Sequence, residues 1–214
     1  RTAGFCLCPF FLFSIARTQA HKYRIPKSIR TVMFAFDNKK YLLEQAKGIF
    51  KRVRQGDGRL YLEFGGKLIG DFHASRVLPG YDPDIKISLL KQLSSRADII
   101  ICIHAEAIEQ KKIRADYGIT YDNAALKLID DLRARNIEVT AVVITRYTGQ
   151  PAAKAFSAML EKHNLKVYLH HPIEGYPNSI EQAIGPDGFS SNPYVEVSQK
   201  LVVVTAPGPS SGKL

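Results

Sequence analysis

The chain reads as an α/β protein, a Rossmann-like, mostly parallel sheet of about five strands with helices on both faces. Three observations predict this. The runs Asp98-Ile-Ile-Ile-Cys-Ile103 and Leu201-Val-Val-Val204 are continuously apolar and rich in β-branched residues, the pattern of strands buried on both faces. Between such runs stand segments with apolar residues at helical spacing, as in Ala125, Leu128, Ile129 and Leu132. The two kinds of segment alternate, which is the mark of βα units.

Taken in order, Asp37 is a good N-cap, and Leu42, Ala46, Ile49 and Val53 follow at helical spacing to about Gln55, where Gly56-Asp57-Gly58 ends the helix. Residues 59–64 read as the first strand. Residues 65–81 then form an unusually long connection, since most βα loops take about two to six residues. Asp82-Pro83 predicts the start of the next helix, with Ile85, Leu89, Leu90 and Leu93 inward, and residues 98–103 are the second strand. His104, Glu106 and a short basic helix follow, with Lys111, Lys112 and Arg114 on a solvated face. Asp122 opens a helix that Asn136 terminates in a left-handed conformation. Residues 137–145 are the third strand, 151–163 a helix with Phe156, Met159 and Leu160 inward, and Asn164 a second terminator before the fourth strand at 165–169. Turn signals fill residues 171–199, with a short helix near 179–184. The fifth strand comes last, where it could expose an edge or a face for a following portion of the chain to cover.

The formal charge of +10 is unevenly spread: residues 1–36 hold six basic and no acidic residues, leaving 24 basic against 20 acidic. That remainder is an ordinary surface, so neither nucleic acid nor a membrane is an expected partner. Residues 1–32 are expected to be a non-native, upstream or targeting-like extension, and residues 33–214 one α/β domain, truncated at its C-terminal end. Residues 5–16 have the apolarity of a signal-peptide core but are too short to span a bilayer, and globular patterning begins after Met33. Three cysteines without a Cys-x-x-Cys motif predict neither a disulfide framework nor a metal site, as in a reducing compartment.

In a sheet of this class ligands bind beyond the carboxyl ends of the strands. The fifth strand runs into Ala206-Pro-Gly-Pro-Ser-Ser-Gly-Lys213, which resembles a phosphate-cradling turn: Lys213 would supply charge, and Gly208, Ser210, Ser211 and Gly212 the positions of close approach. The match is partial. Pro207 stands where the first glycine of a P-loop belongs, Leu214 stands where its Mg²⁺-holding Ser/Thr belongs, and Pro207 and Pro209 donate no N–H. The implied cofactor is a Mg-nucleotide. Asp71, His73 and Arg76, with Ser75, form the acid/base candidate group of the long first loop. Lys67, His104 and Arg146 are further candidates because they too fall just past strand ends. His170-His171 lacks the spacing of a metal motif, and Glu106 and Glu109 read as solvated. Two other readings stand beside phosphate binding: a Rossmann-like enzyme domain acting on a small polar substrate without a P-loop, and a non-catalytic assembly module forming a homo-oligomer.

Several stretches together resemble one bacterial family, the domain of unknown function 1846. They are Tyr61-Leu-Glu-Phe-Gly-Gly-Lys-Leu68, His73-Ala-Ser-Arg-Val-Leu-Pro-Gly80, Gly118-Ile-Thr-Tyr-Asp122, Val143-Ile-Thr-Arg-Tyr147 with Gly149-Gln-Pro-Ala-Ala153, and Val203-Val-Thr-Ala-Pro-Gly-Pro209 with Ser211-Gly-Lys-Leu214. Members of that family are more than twice this length, so the resemblance implies an N-terminal portion of a cytoplasmic protein. It supplies no activity and no catalytic residues.

Overall fold

The structure, a computed structural model, describes residues 36–208. Helix α1 (Asn38–Gln55) starts where the Asp37 carboxylate accepts the Lys40 N–H at 3.0 Å, the capping role expected of it. There follow β1 (Leu60–Glu63), α2 (Phe72–Val77), α3 (Ile85–Leu93), β2 (Ala97–His104), α4 (Ala105–Glu109), β3 (Ile113–Arg114) and β4 (Ile119–Thr120). The chain continues through α5 (Tyr121–Arg133), β5 (Ala141–Thr145), α6 (Pro151–Lys162), β6 (Lys166–Leu169), α7 (Ile180–Ile184) and β7 (Leu201–Thr205). Asn136 and Asn164 both adopt φ of 58°, as expected of left-handed terminators.

Five strands form one parallel sheet in the order β1-β7-β2-β5-β6. The last of these strands in sequence is therefore an interior one, with β1 and β2 as its neighbours, and among the described residues β1 and β6 stand at the edges of the sheet. Right-handed crossovers account for the layering. The connections β1 to β2, β2 to β5 and β5 to β6 all step the same way across the sheet, so their helices share one face. There Leu90, Leu93, Ile129, Leu132, Phe156 and Leu160 pack on Ile99, Ile101, Ile103, Ile144, Leu201 and Val203. Each such side chain, fully buried, contributes about 1.5–3 kcal/mol. The return from β6 to β7 steps back and so crosses the opposite face. There the cover is mainly extended chain: Val195 and Val197 pack on Ile100, Cys102, Val143 and Val202. The buried carboxylate of Asp98 pins this return in place, accepting from Ser198 N and Gln199 N at 2.6 Å each and from the Thr140 hydroxyl at 3.2 Å.

Three local features differ from the sequence reading. The long first connection holds a short helix, α2, because Asp71 caps it by accepting the Ala74 N–H at 3.2 Å. Helix α3 begins at Ile85, not at Pro83, because Asp82 first closes a turn by accepting the Asp84 N–H at 2.9 Å. The basic segment after α4 is no solvated helix face: Lys111 has φ of 48°, and Arg114 lies in an antiparallel hairpin of β3 and β4, only 8% exposed. A two-residue ladder leaves too little periodicity to be read from sequence.

Candidate functional site

All five parallel strands end at the same edge of the sheet. At about 4.8 Å per strand the candidates following them are spread over roughly 19 Å, in the order Lys67, Gly208, His104, Arg146, His170. Lys67 alone of the single candidates joins the start of the terminal turn, because β1 and β7 are neighbours.

Around that junction the geometry is dense. Lys67, Leu68, Arg114, Tyr117, Ala206 and Pro207 line a small cleft of about 30 Å³. Arg114 donates from Nη1 to the Pro207 carbonyl, from Nε to Asp116 Oδ1 at 3.0 Å and from Nη2 to Asp116 Oδ2 at 2.7 Å. Lys67 Nζ reaches the same Asp116 Oδ2 at 2.9 Å. Burial pushes the Asp116 carboxyl up, but hydrogen bonds and charge from Arg114 and Lys67 outweigh it and hold it at about 2. The Tyr117 ring lies beneath both cations, 4.5 Å from Arg114 Cζ and 5.7 Å from Lys67 Nζ.

The turn itself is described as far as Gly208; Ser210, Ser211, Gly212 and Lys213 lie outside the described residues. Gly208 packs so closely on α5 that an added Cβ would stand 2.9 Å from Tyr121 Cε1. Just before the turn, Thr205 is fully buried and its Oγ1 has no hydrogen-bond partner among the described residues, as is also true of Asp122 Oδ1 in the first turn of α5. A buried polar group left so costs about 1–3 kcal/mol unless the turn or a ligand satisfies it.

The acid/base candidates are placed differently. Asp71 caps α2 and forms an ion pair with Lys86 at 2.9 Å, both side chains largely buried; Lys86 also donates to the Gly65 carbonyl at 3.1 Å. Burial raises the Asp71 carboxyl, yet the Lys86 bond, the Ala74 N–H and the charges of Lys86 and His73 leave it below its usual value. Ser75 donates to the Phe72 carbonyl at 2.9 Å, and His73 and Arg76 are exposed on α2. These groups are not linked as a hydrogen-bonded triad.

His104 ends β2, and Arg146 follows the adjacent β5, whose last residue, Thr145, pairs with His104. His104 Nδ1 accepts the Glu106 N–H at 3.0 Å, so its proton sits on Nε2. Burial first, then Arg146 and Lys112, hold this imidazole below its ordinary value against the pull of Glu106. Arg146 adopts φ of 54°, an uncommon conformation for a long side chain. His170 Nε2 lies 2.9 Å from the Pro193 carbonyl, and His171 exchanges backbone bonds with the Asn192 amide. Glu109, read as solvated, accepts the Ala152 N–H at 2.9 Å and so caps α6.

Sequence reasoning passed over Arg114, Asp116, Tyr117 and Tyr121. The turn signal Tyr117-Gly118 between Arg114 and Ile119 was the clue to their hairpin, with Gly118 at φ of 64°. Among the described residues no helix is long and apolar enough to cross a membrane.

Comparison with known proteins agrees with the resemblance noted above. The family described as "Domain of unknown function DUF1846, N-terminal" matches residues 34–214. A UPF0371 protein of Clostridioides difficile (strain 630) is 52% identical over 179 residues, and one of Streptococcus sanguinis (strain SK36) is 53% identical over 180. One of Clostridium botulinum (strain ATCC 19397 / Type A) is 54% identical over 179 residues. Each alignment covers 84% of this chain and 36% of the relative, so the chain spans about a third of the length of these relatives. On this match and these identities, the chain belongs to the DUF1846 family, whose description assigns no function.

Proposed function

We propose that this chain is a phosphate- or nucleotide-binding α/β domain of an enzyme, with residues 207–213 as the phosphate holder and a Mg-nucleotide as its ligand. One observation carries the reading: the glycine-rich turn leaves the carboxyl end of an interior parallel strand and its first carbonyl, that of Pro207, is anchored by the buried Arg114. The carboxyl ends of the strands are where this class of sheet holds its ligands. Lys67 and Arg114 add positive charge beside the turn, and the orphaned Thr205 hydroxyl adds a donor at its root. In this reading Lys213 is the mobile charge, and Gly208, Ser210, Ser211 and Gly212 bring the backbone close to the phosphates. The polar loop after β1, with His73 and Arg76 exposed, serves the second substrate.

The test is calorimetric titration of Mg-ATP and Mg-GTP into the intact polypeptide carrying this chain, beside its Lys213→Ala variant. Loss of the lysine charge should weaken binding at least about thirtyfold, roughly 2 kcal/mol. Equal affinity in parent and variant would remove the phosphate role from the turn and move the search to the loop around His73.

A further inference from the structure

Asp116, at the tip of the β3–β4 hairpin, is held as a bound anion would be. Arg114 grips it with two parallel N–H bonds and Lys67 adds an ammonium from a separate loop, at the distances given above. A guanidinium fork beside a lysine is the donor set that protein sites use for phosphoryl groups. The cations differ in burial. Arg114 is buried and fastened by its remaining bond to Pro207, whereas the side chains of Lys67 and Asp116 are 37% and 29% exposed. The carboxylate also arrives on a hairpin with only two residues in each strand, too short to be stable by its own pairing. A buried fork, a partly exposed lysine and an anion on a short hairpin make an exchangeable set.

We propose that Lys67 and Arg114 form a subsite for a phosphoryl group of the ligand held by the 207–213 turn, and that Asp116 occupies this subsite until the ligand displaces it. The inference rests on the phosphate-binding reading of that turn and adds a second point of contact with a built-in competitor. A phosphoryl group carries more charge than a carboxylate and offers three acceptor oxygens, so it wins the two cations when the turn holds the rest of the ligand. Asp116 then moves to solvent, and the hairpin tip is released from the loop after β1.

Inorganic pyrophosphate is the probe, titrated by calorimetry into the intact polypeptide as parent, Asp116→Asn, Asp116→Asn with Lys67→Met, and Lys213→Ala. If the carboxylate fills the subsite about nine-tenths of the time, Asp116→Asn binds pyrophosphate about tenfold more tightly. Adding Lys67→Met should cancel that gain. Unchanged or weaker binding by Asp116→Asn, in a protein whose parent binds and whose Lys213→Ala variant does not, overturns the subsite alone. Binding that Lys213→Ala leaves intact, or no binding by the parent, is the separate failure of the underlying reading and overturns both. Because Asp116→Asn weakens the tie between hairpin and loop, a measurement on the parent stands beside it: the Nε–H resonance of Arg114 should shift as pyrophosphate is added. A resonance unmoved at saturation overturns the exchange.

Discussion

At Gly208 the constraint is steric. An added methyl would stand 2.9 Å from Tyr121 Cε1, inside van der Waals contact, and the ring sits at the start of α5 where little else can give. Gly208→Ala should therefore cost about 1–3 kcal/mol in urea unfolding, the usual range for overpacking. Combined with Tyr121→Leu, the penalty should fall well below the sum of the two single changes, which a double-mutant cycle reads directly. The presence of Gly208 was plain in the sequence, but its reason was not. Read there as a position of phosphate approach, the residue is also one of close packing against α5. Asp71 teaches the same lesson, since its place among polar residues suggested acid/base work, whereas its carboxylate is spent on capping α2 and pairing Lys86.

On the scale of elements, α4 hangs on one imidazole. His104 closes β2 and caps the helix by accepting the Glu106 N–H on Nδ1, which only the neutral ring can do. Its folded-state value is depressed, by burial first and by Arg146 and Lys112 besides, so protonation favours the unfolded chain. The stability it contributes is complete above the unfolded value of about 6.5 and is lost as pH falls through the lower folded value. Urea midpoints should accordingly drop between pH 7 and pH 5, and His104→Ala should flatten that drop. Some slope should remain in the variant, because burial also depresses His170, against its bond to the Pro193 carbonyl. The long helices were legible beforehand: α1, α5 and α6 each carry a full apolar stripe and a recognisable terminator. Helix α2 and the β3–β4 hairpin were not, being too short for periodicity and held by side chains from elsewhere in the chain.

In the whole molecule, β7 is the keystone. It is the last of the described strands in sequence and an interior one, and Leu201, Val202 and Val203 are fully buried. Deleting residues 201–214 should leave β1 and β2 each without a partner along one side and open the core on both faces. The expected outcome is loss of cooperative thermal unfolding by circular dichroism, since unpaired buried backbone cannot be tolerated at this scale. A truncated chain that still unfolds cooperatively would show that β1 and β2 can pair directly. The same placement of β7 brings Ala206 and Pro207 beside Lys67 of the loop after β1.

The sequence by itself determined the parallel α/β class and the sites of the main strands and helices. Those rest on local properties, namely hydrophobic period, β-branching, capping residues and turn chemistry. Only the tertiary structure decided the strand order, and with it which strand-end residues meet. Lys67 joins Arg114, Asp116 and Pro207 because a strand some 140 residues later in the chain inserts beside β1, and no local pattern encodes such an insertion. The ion pairs of Asp71 and Asp116 were settled there too, since charges find partners by distance in space and not by spacing in sequence.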